Sequence, residues 1–229
     1  MSKKKDKNAR KKAVKNKELA KKRQAKARAL AQMQVSALDS LNYEITYEPI
    51  IDDDAQALPP QLAERKKFIY DNLRKTPDDF IDELTALIIE YPQDDALGNY
   101  LANAYMLSGN VEQYREFVKA SYQAKPHYLF NCFQMANIYI EEGNFTEVYH
   151  IFAGKFDLKA LYPERTLFHI SEVTSMLAIA AQYYEWADHD EQFLQCFDML
   201  REIDPMSSIM LKIMPRMMQL RFGMDFGME

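Results

Sequence analysis

The side chains able to do chemistry in this chain are few and widely spaced. Its two cysteines, Cys132 and Cys196, lie in apolar helical patterns, which predicts buried free thiols in a reducing compartment. Neither a His-Glu-x-x-His nor a Cys-x-x-Cys sequence occurs, so no metal or other cofactor is expected. The histidines, none at metal-ligand spacing from a cysteine, are His127, His150, His169 and His189.

One histidine, His189, stands in an acidic run that would suit acid–base chemistry, with Asp188 before it and Asp190 after it. A solvated loop between two helices is the favoured interpretation of this run. The paired carboxylates Asp78–Asp79 and Asp94–Asp95 stand at predicted helix starts, where free N–H groups favour negative charge. The chain has only six glycines and no glycine-rich phosphate loop. The sequence therefore predicts a protein that is not an enzyme.

Positive charge is concentrated at the N-terminus. Residues 1–28 hold fourteen Lys and Arg against two acids, a net charge of +12, whereas residues 29–229 carry −17. Such asymmetry is typical of a charged tail joined to a folded body. The candidate polyanion-binding residues are Lys3, Lys4, Lys5, Arg10, Lys11, Lys12, Lys21, Lys22 and Arg23.

This basic arm has too few apolar residues to fold alone, so residues 1–34 are expected to be disordered, or helical on a polyanion. One interpretation is binding to RNA, DNA or the ribosome. Because no aromatic side chain is interleaved to stack on bases, that binding would not depend on sequence. The alternative is a solvated tail that aids solubility or contacts the acidic body.

Residues 35–60 read as an acidic and apolar connector. Tyr43, Ile45 and Tyr47 alternate along it, which predicts an extended segment. Because this segment is too apolar for a pure spacer, we expect residues 43–50 to lie on the folded body.

From residue 61 onward, apolar residues recur at helical spacing, and the chain repeats itself at 34 residues. Residues 101–110 align with residues 135–144, and five of the ten positions are identical. The shared residues include a small alanine, a tyrosine and a glycine, the types needed where two helices meet and turn. We therefore expect Gly109 and Gly143 in the turns between paired helices.

These residues resemble the tetratricopeptide repeat, a 34-residue unit of two helices. The resemblance covers residues 61–205, is strong in two units and weaker in the two flanking ones, and implies an all-α fold, a tetratricopeptide-like helical-hairpin solenoid. The family's first aromatic is replaced by Gly98 and Cys132, so the array is divergent. The residues that carry the resemblance are Leu101, Ala102, Tyr105, Pro126, Met135, Ala136, Tyr139, Phe152, Pro163, Ala180, Ala181, Tyr184 and Pro205.

Residues 206–229 are rich in methionine and are predicted to form a C-terminal capping helix. Ser207 or Ser208 is the expected N-cap, and a break or kink is expected near Pro215. A repeat array needs an element that covers its last apolar face. The alternative is an adaptable partner surface built from the methionines.

The resemblance also implies a binding groove lined by the first helix of each unit. Asn103 and Asn137, one unit apart, carry a donor and an acceptor suited to an extended peptide; the alternative is that each bonds a neighbouring helix. A clamp for a terminal carboxylate would need cations that these units lack, though Arg65 and Lys66 of the first unit could supply them. The predicted groove residues are Asn99, Tyr100, Asn103, Met106, Leu107, Phe130, Phe133, Gln134, Asn137 and Ile140.

These features predict an adaptor or chaperone-like protein that binds a protein or peptide in the groove, with residues 43–50 filling the groove when no partner is bound. The alternative function is a factor associated with nucleic acid or the ribosome, acting mainly through its basic arm. No run of 18 apolar residues occurs, so no transmembrane segment is expected. No apolar stretch follows the basic start as in a secretion signal, so we expect a cytoplasmic protein.

Overall fold

The structure, a computed structural model, describes residues 41–48 and 59–224, and it confirms the predicted all-α fold class. A 3-10 turn, Pro77–Phe80, leads into the second helix. Two short strands, β1 (Glu44–Thr46) and β2 (Leu167–His169), accompany the helices. The helices are α1 (Pro60–Asn72), α2 (Ile81–Glu90), α3 (Asp95–Leu107), α4 (Val111–Ala124), α5 (Leu129–Glu141), α6 (Phe145–Phe152), α7 (Leu158–Leu161), α8 (Ile170–Trp186), α9 (Asp190–Ile203) and α10 (Ser208–Phe222).

Helices α3 and α4, and then α5 and α6, form two helical hairpins that begin and turn 34 residues apart. Gly109 (φ 74°) and Gly143 (φ 71°) stand in the turns with left-handed backbone, as predicted. In both turns the amide after the glycine donates to a tyrosine carbonyl five residues back, from Asn110 to Tyr105 (2.9 Å) and from Asn144 to Tyr139 (2.8 Å). This bond satisfies a carbonyl that the helix end leaves without a partner.

A further hairpin, α8 and α9, uses the same turn without a glycine. Asp188 holds the left-handed position at φ 55°, which aspartate tolerates better than most residues. The amide of His189 donates to the carbonyl of Tyr184 at 2.9 Å, which repeats the bond of the two glycine turns. The run around His189 is therefore a turn between helices, as the sequence indicated.

The hairpins pack through small residues at the predicted positions. Ala102 and Ala136 are fully buried at equivalent positions of the first two hairpins described above, and Ala180 and Ala181 are fully buried in α8. A methyl side chain lets helices approach closely without a void. Large side chains then fill the space around α8, α9 and α10, and the fully buried ones include Phe152, Phe168, Phe193 and Phe197.

The last helix, α10, follows Ser207 as predicted, but it differs from the expectation in two respects. It continues through Pro215, so the expected break does not occur there. Pro215 leaves the carbonyl of Leu211 without its helical donor, and Leu211 is exposed, so water can take that place. In addition, the hydroxyl of Ser207 makes no capping bond. Arg216 fastens α10 to the α8–α9 turn through Asp188 and Asp190.

The predicted extended segment is confirmed over Glu44–Thr46, which lies on the helical body as strand β1. It pairs in parallel with β2, with Ile45 opposite Phe168. The ring of Tyr43 packs edge-on against Phe168, with centroids 4.8 Å apart. Strand β2 interrupts the region that was expected to hold helix pairs alone.

The basic arm, most of the connector and the last five residues lie outside the described residues. The predictions for residues 1–40 and 49–58 are therefore not tested by the structure. Among the residues that the structure describes, no helix is both long and apolar enough to cross a membrane.

Two glycine substitutions test the backbone of the first repeated hairpins. Gly143→Ala should lower the free energy of unfolding by about 1–2 kcal/mol, because a Cβ disfavours left-handed backbone. Gly98→Ala, inside α3, should instead raise it by about 0.5–1 kcal/mol, since the new methyl meets only Phe117 Cζ at 3.8 Å. Urea denaturation measures both values. Equal shifts of the same sign would contradict this account of the turn.

Candidate partner-binding site

Side chains connect helix α3 with α1 before it and with α5 after it. On α1 and α3, the rings of Tyr70 and Tyr100 stand 6.1 Å apart. Between α3 and α5, the side-chain amide of Gln134 donates to Asn99 Oδ1 at 2.8 Å. Such a direct bond between residues 35 apart in sequence puts the polar faces of α3 and α5 on one surface. We call Asn99, Asn103, Gln134 and Asn137 the amide face.

The amide face is partly occupied by its own hydrogen bonds. Asn103 Nδ2 donates to the carbonyl of Asn99 (2.8 Å) and to Asn99 Oδ1 (3.2 Å). Asn99 Oδ1 thus accepts from two side chains, whereas Asn103 Oδ1 accepts from no group among the described residues. Asn137 is exposed, and its side chain makes no hydrogen bond within the part of the chain that the structure describes. Asn103 therefore bonds its own helix, and Asn137 is free for a partner.

Most predicted groove residues are accessible, but two, Phe133 and Gln134, are buried. Met106 and Leu107 are exposed. The half-buried ones are Asn99, Tyr100, Asn103, Phe130 and Ile140.

Phe133 was wrongly predicted to line the groove, since only 3% of its surface is exposed. Its ring packs between Phe130 (5.8 Å) and Phe152 (6.1 Å), because this face of α5 turns towards α6. Gln134 is likewise buried, as a bonded member of the amide face.

Two tyrosines, Tyr100 in α3 and Tyr128 just before α5, are protonated phenols. Burial, with the charge of Asp94 adding to it, raises the pKa of Tyr100 to about 12. Burial and then the charges of Asp95 and Asp94 also raise the pKa of Tyr128. Phenols that keep their proton are hydrogen-bond donors at neutral pH.

The cations near this surface are neutralised by acids. Lys66 Nζ lies 2.6 Å from Asp94 Oδ2, and both side chains are largely buried. Arg65 donates from Nε and Nη2 to the two carboxylate oxygens of Glu83. The charge that a carboxylate clamp would need from Arg65 and Lys66 is therefore already paired, and the amide face offers neutral hydrogen bonding.

The predicted occupation of the groove by residues 43–50 is not what the structure shows in its described part. Strand β1 instead pairs with β2, and Tyr43 packs against Phe168. The alternating segment with Tyr43 and Ile45 thus pairs through its backbone with strand β2, Leu167–His169, which precedes α8. The predicted polyanion-binding residues, from Lys3 to Arg23, lie outside the described residues.

Both cysteines are buried, as the sequence predicted, and their thiols are held in the protonated form. Cys132 Sγ donates to the carbonyl of Pro126 at 3.2 Å. Burial raises the pKa of Cys132 to about 11 and that of Cys196 to about 12. Protonated thiols are poor nucleophiles and poor metal ligands. Within residues 41–48 and 59–224, no group of three His, Cys, Asp or Glu side chains is placed to hold a metal ion.

We expect neither thiol to react with N-ethylmaleimide in the native protein at pH 8, and both to react after unfolding in guanidinium. Because their pKa values are raised in the folded state, the native form keeps protons that the unfolded form loses above pH 9. The free energy of unfolding should thus be at its full value below pH 9 and fall as the pH rises towards 11. Mass spectrometry counts the labelled thiols, and stoichiometric labelling of the native protein would contradict the assignment.

Comparisons with known proteins identify no relative of this chain. It matches no protein-family model, no curated protein and no solved structure. The likeness to the tetratricopeptide repeat therefore rests on the residues and the turn geometry given above.

Proposed function

We propose that this chain is a tetratricopeptide-like array that binds a partner protein without catalysing a reaction, and that it holds an extended peptide along the amide face. The observation that carries the proposal is the Gln134–Asn99 bond, which joins the first helices of two successive hairpins. It sets Asn103 and Asn137, one repeat apart, on neighbouring helices of one surface.

The general spacing of packed helices suits an extended chain. Packed helix axes lie about 8–10 Å apart, and about three residues of extended peptide cover that distance at roughly 3.3 Å each. Asn137 and the free oxygen of Asn103 would therefore meet peptide groups about three residues apart. A primary amide offers both a donor and an acceptor, as a peptide backbone requires.

The side chains around the amide face favour an apolar rather than an acidic partner segment. Tyr100, Phe130 and Ile140 are half-buried and Met106 is exposed, so they offer contact area to apolar side chains. Lys66 and Arg65 are already paired. The protein would thus act as an adaptor or a chaperone-like binder of apolar, extended segments.

We expect Asn103→Ala together with Asn137→Ala to weaken peptide binding about 10- to 30-fold, since each lost hydrogen bond is worth about 1 kcal/mol. Twelve-residue peptides selected by display on the intact chain serve as ligands, and calorimetry measures their Kd. The matched control is Gln113→Ala with Gln123→Ala, which removes two exposed amides from α4 instead.

Unchanged affinity of the double asparagine variant, with an unchanged melting temperature, would refute the amide face as the site. The methionine-rich surface of α10 would then be the next candidate.

The basic arm gives this protein a second proposed contact, with a polyanion. Residues 1–28 carry +12, whereas the residues that the structure describes hold 15 Lys and Arg against 26 Asp and Glu. The helical body would repel phosphates, so an attraction for RNA, DNA or the ribosome would have to come from the arm. If the arm alone carried the function, the protein would be a nucleic-acid- or ribosome-associated factor with the helices as support.

The intact chain should bind two single-stranded RNAs of unrelated sequence with equal affinity, and affinity should fall steeply with salt. Replacing Lys21, Lys22 and Arg23 by Gln should reduce the slope of log K against log salt by about 2, at roughly 0.7 per charge. Deleting residues 1–28 should abolish RNA binding and leave peptide binding intact. Binding that survives high salt, or that differs between the two RNAs, would contradict this proposal.

A further inference from the structure

A second surface stands apart from the amide face, where the end of α8 meets the start of α6. The ring of Trp186 stacks on Phe145 with centroids 5.2 Å apart and planes 10° from parallel. The ring centroid of Tyr183 lies 5.8 Å from that of Trp186 and 6.2 Å from that of Tyr149. We call these four residues the aromatic patch.

The aromatic patch is open to solvent although its members are large. Trp186 is 53% exposed and Tyr149 is 45% exposed. Phe145 covers one face of the Trp186 ring, which leaves the rest of the indole available. Folding alone gives no reason to keep so much aromatic surface in contact with water, and clustered exposed aromatics are typical of interaction sites.

The patch rests on a rigid support. Phe156, a buried residue, stacks beneath Tyr183 with centroids 4.2 Å apart. Gly154 lets the ring of Tyr149 approach the backbone, since a Cβ at that position would stand 2.6 Å from Tyr149 Cε2. The rings are thus held in place before any ligand arrives, which lowers the entropic cost of binding.

Acids flank the aromatic patch in both adjoining turns. Glu141 and Glu142 precede Phe145, while Asp188, Asp190 and Glu191 follow Trp186. Two arginines stand among these five acids: Arg115 bonds Glu141 and Glu142, and Arg216 bonds Asp188 and Asp190. The surroundings of the exposed rings therefore carry a net negative charge.

We propose that the aromatic patch binds an arginine-rich peptide segment of a partner protein. A guanidinium group stacks on an aromatic face and bonds carboxylates at the same time, and Trp is the strongest aromatic partner for it. The acidic turns supply the complementary charge on both sides of the rings. This site differs from the amide face, which offers neutral amides to an extended apolar segment.

The chain's single tryptophan makes the test direct, because emission excited beyond the absorption of the 14 tyrosines reports on Trp186 alone. Titrating the intact protein with an octa-arginine peptide should change this emission in a saturable way. Octa-lysine, which carries the same charge but stacks less well, should bind more weakly. An emission that stays constant while octa-arginine binds by calorimetry would overturn the proposal.

Two variants distinguish the contribution of the aromatic rings to peptide binding from that of the acidic side chains. Trp186→Leu should weaken octa-arginine binding about two- to fivefold, measured by anisotropy of a labelled peptide. Glu141→Gln with Asp188→Asn should weaken this binding to a similar degree. In that variant Arg115 keeps its bond to Glu142, and Arg216 keeps its bond to Asp190. Asn tolerates the left-handed backbone at position 188, so this variant should remain folded.

The matched control is Glu112→Gln with Glu116→Gln, which removes two exposed acids from α4. Binding by this control should equal that of the unaltered protein. An equal loss in control and patch variants would mean that total charge alone attracts the peptide, and it would overturn the proposal. So would an emission that depends on protein concentration without peptide, because a second copy of the chain would then cover the patch.

Discussion

The arrangement of this protein depends on one backbone constraint, the reversal of a helix within three residues. Gly109, Gly143 and Asp188 each adopt left-handed backbone, and the next amide then bonds a tyrosine carbonyl in the preceding helix. Because the turn is short and closed by this bond, it fixes where the second helix begins and which face it turns towards the first. The buried alanines and the amide face both follow from that placement.

Two of these turns could be predicted from the sequence, because α3–α4 and α5–α6 keep an unbroken 34-residue step. The turn at Asp188 was also predicted, from the acidic run around His189, although α7 and β2 lengthen the chain before it and aspartate stands where the other turns have glycine. The cysteine environment followed from the apolar pattern around Cys132 and Cys196. In these cases a local pattern was enough.

The features that the sequence predicted wrongly or did not predict depend instead on packing between elements. Phe133 was assigned to the groove by its place in the repeat, yet its burial depends on how α6 packs against α5, which no local pattern records. Strand β2 is three residues long and exists through its pairing with β1, so its own sequence carries little strand signal. The aromatic patch was missed because Phe145 and Trp186 belong to different hairpins, and only the packing of α6 against α8 brings them together.

The pairing of β1 with β2 has a consequence for the order in which the protein assembles. Glu44 and Leu167 are partners, although 123 residues separate them. Such a distant contact forms slowly, because a long loop must close before the contact stabilises anything. During synthesis from the N-terminus, Glu44–Thr46 is made early but has no partner until Leu167–His169 has been added. The two helices of α3–α4, and those of α5–α6, contact each other over short sequence distances, so these hairpins can begin to form in that interval. Attachment of strand β1 is therefore a late event in the life of each new chain.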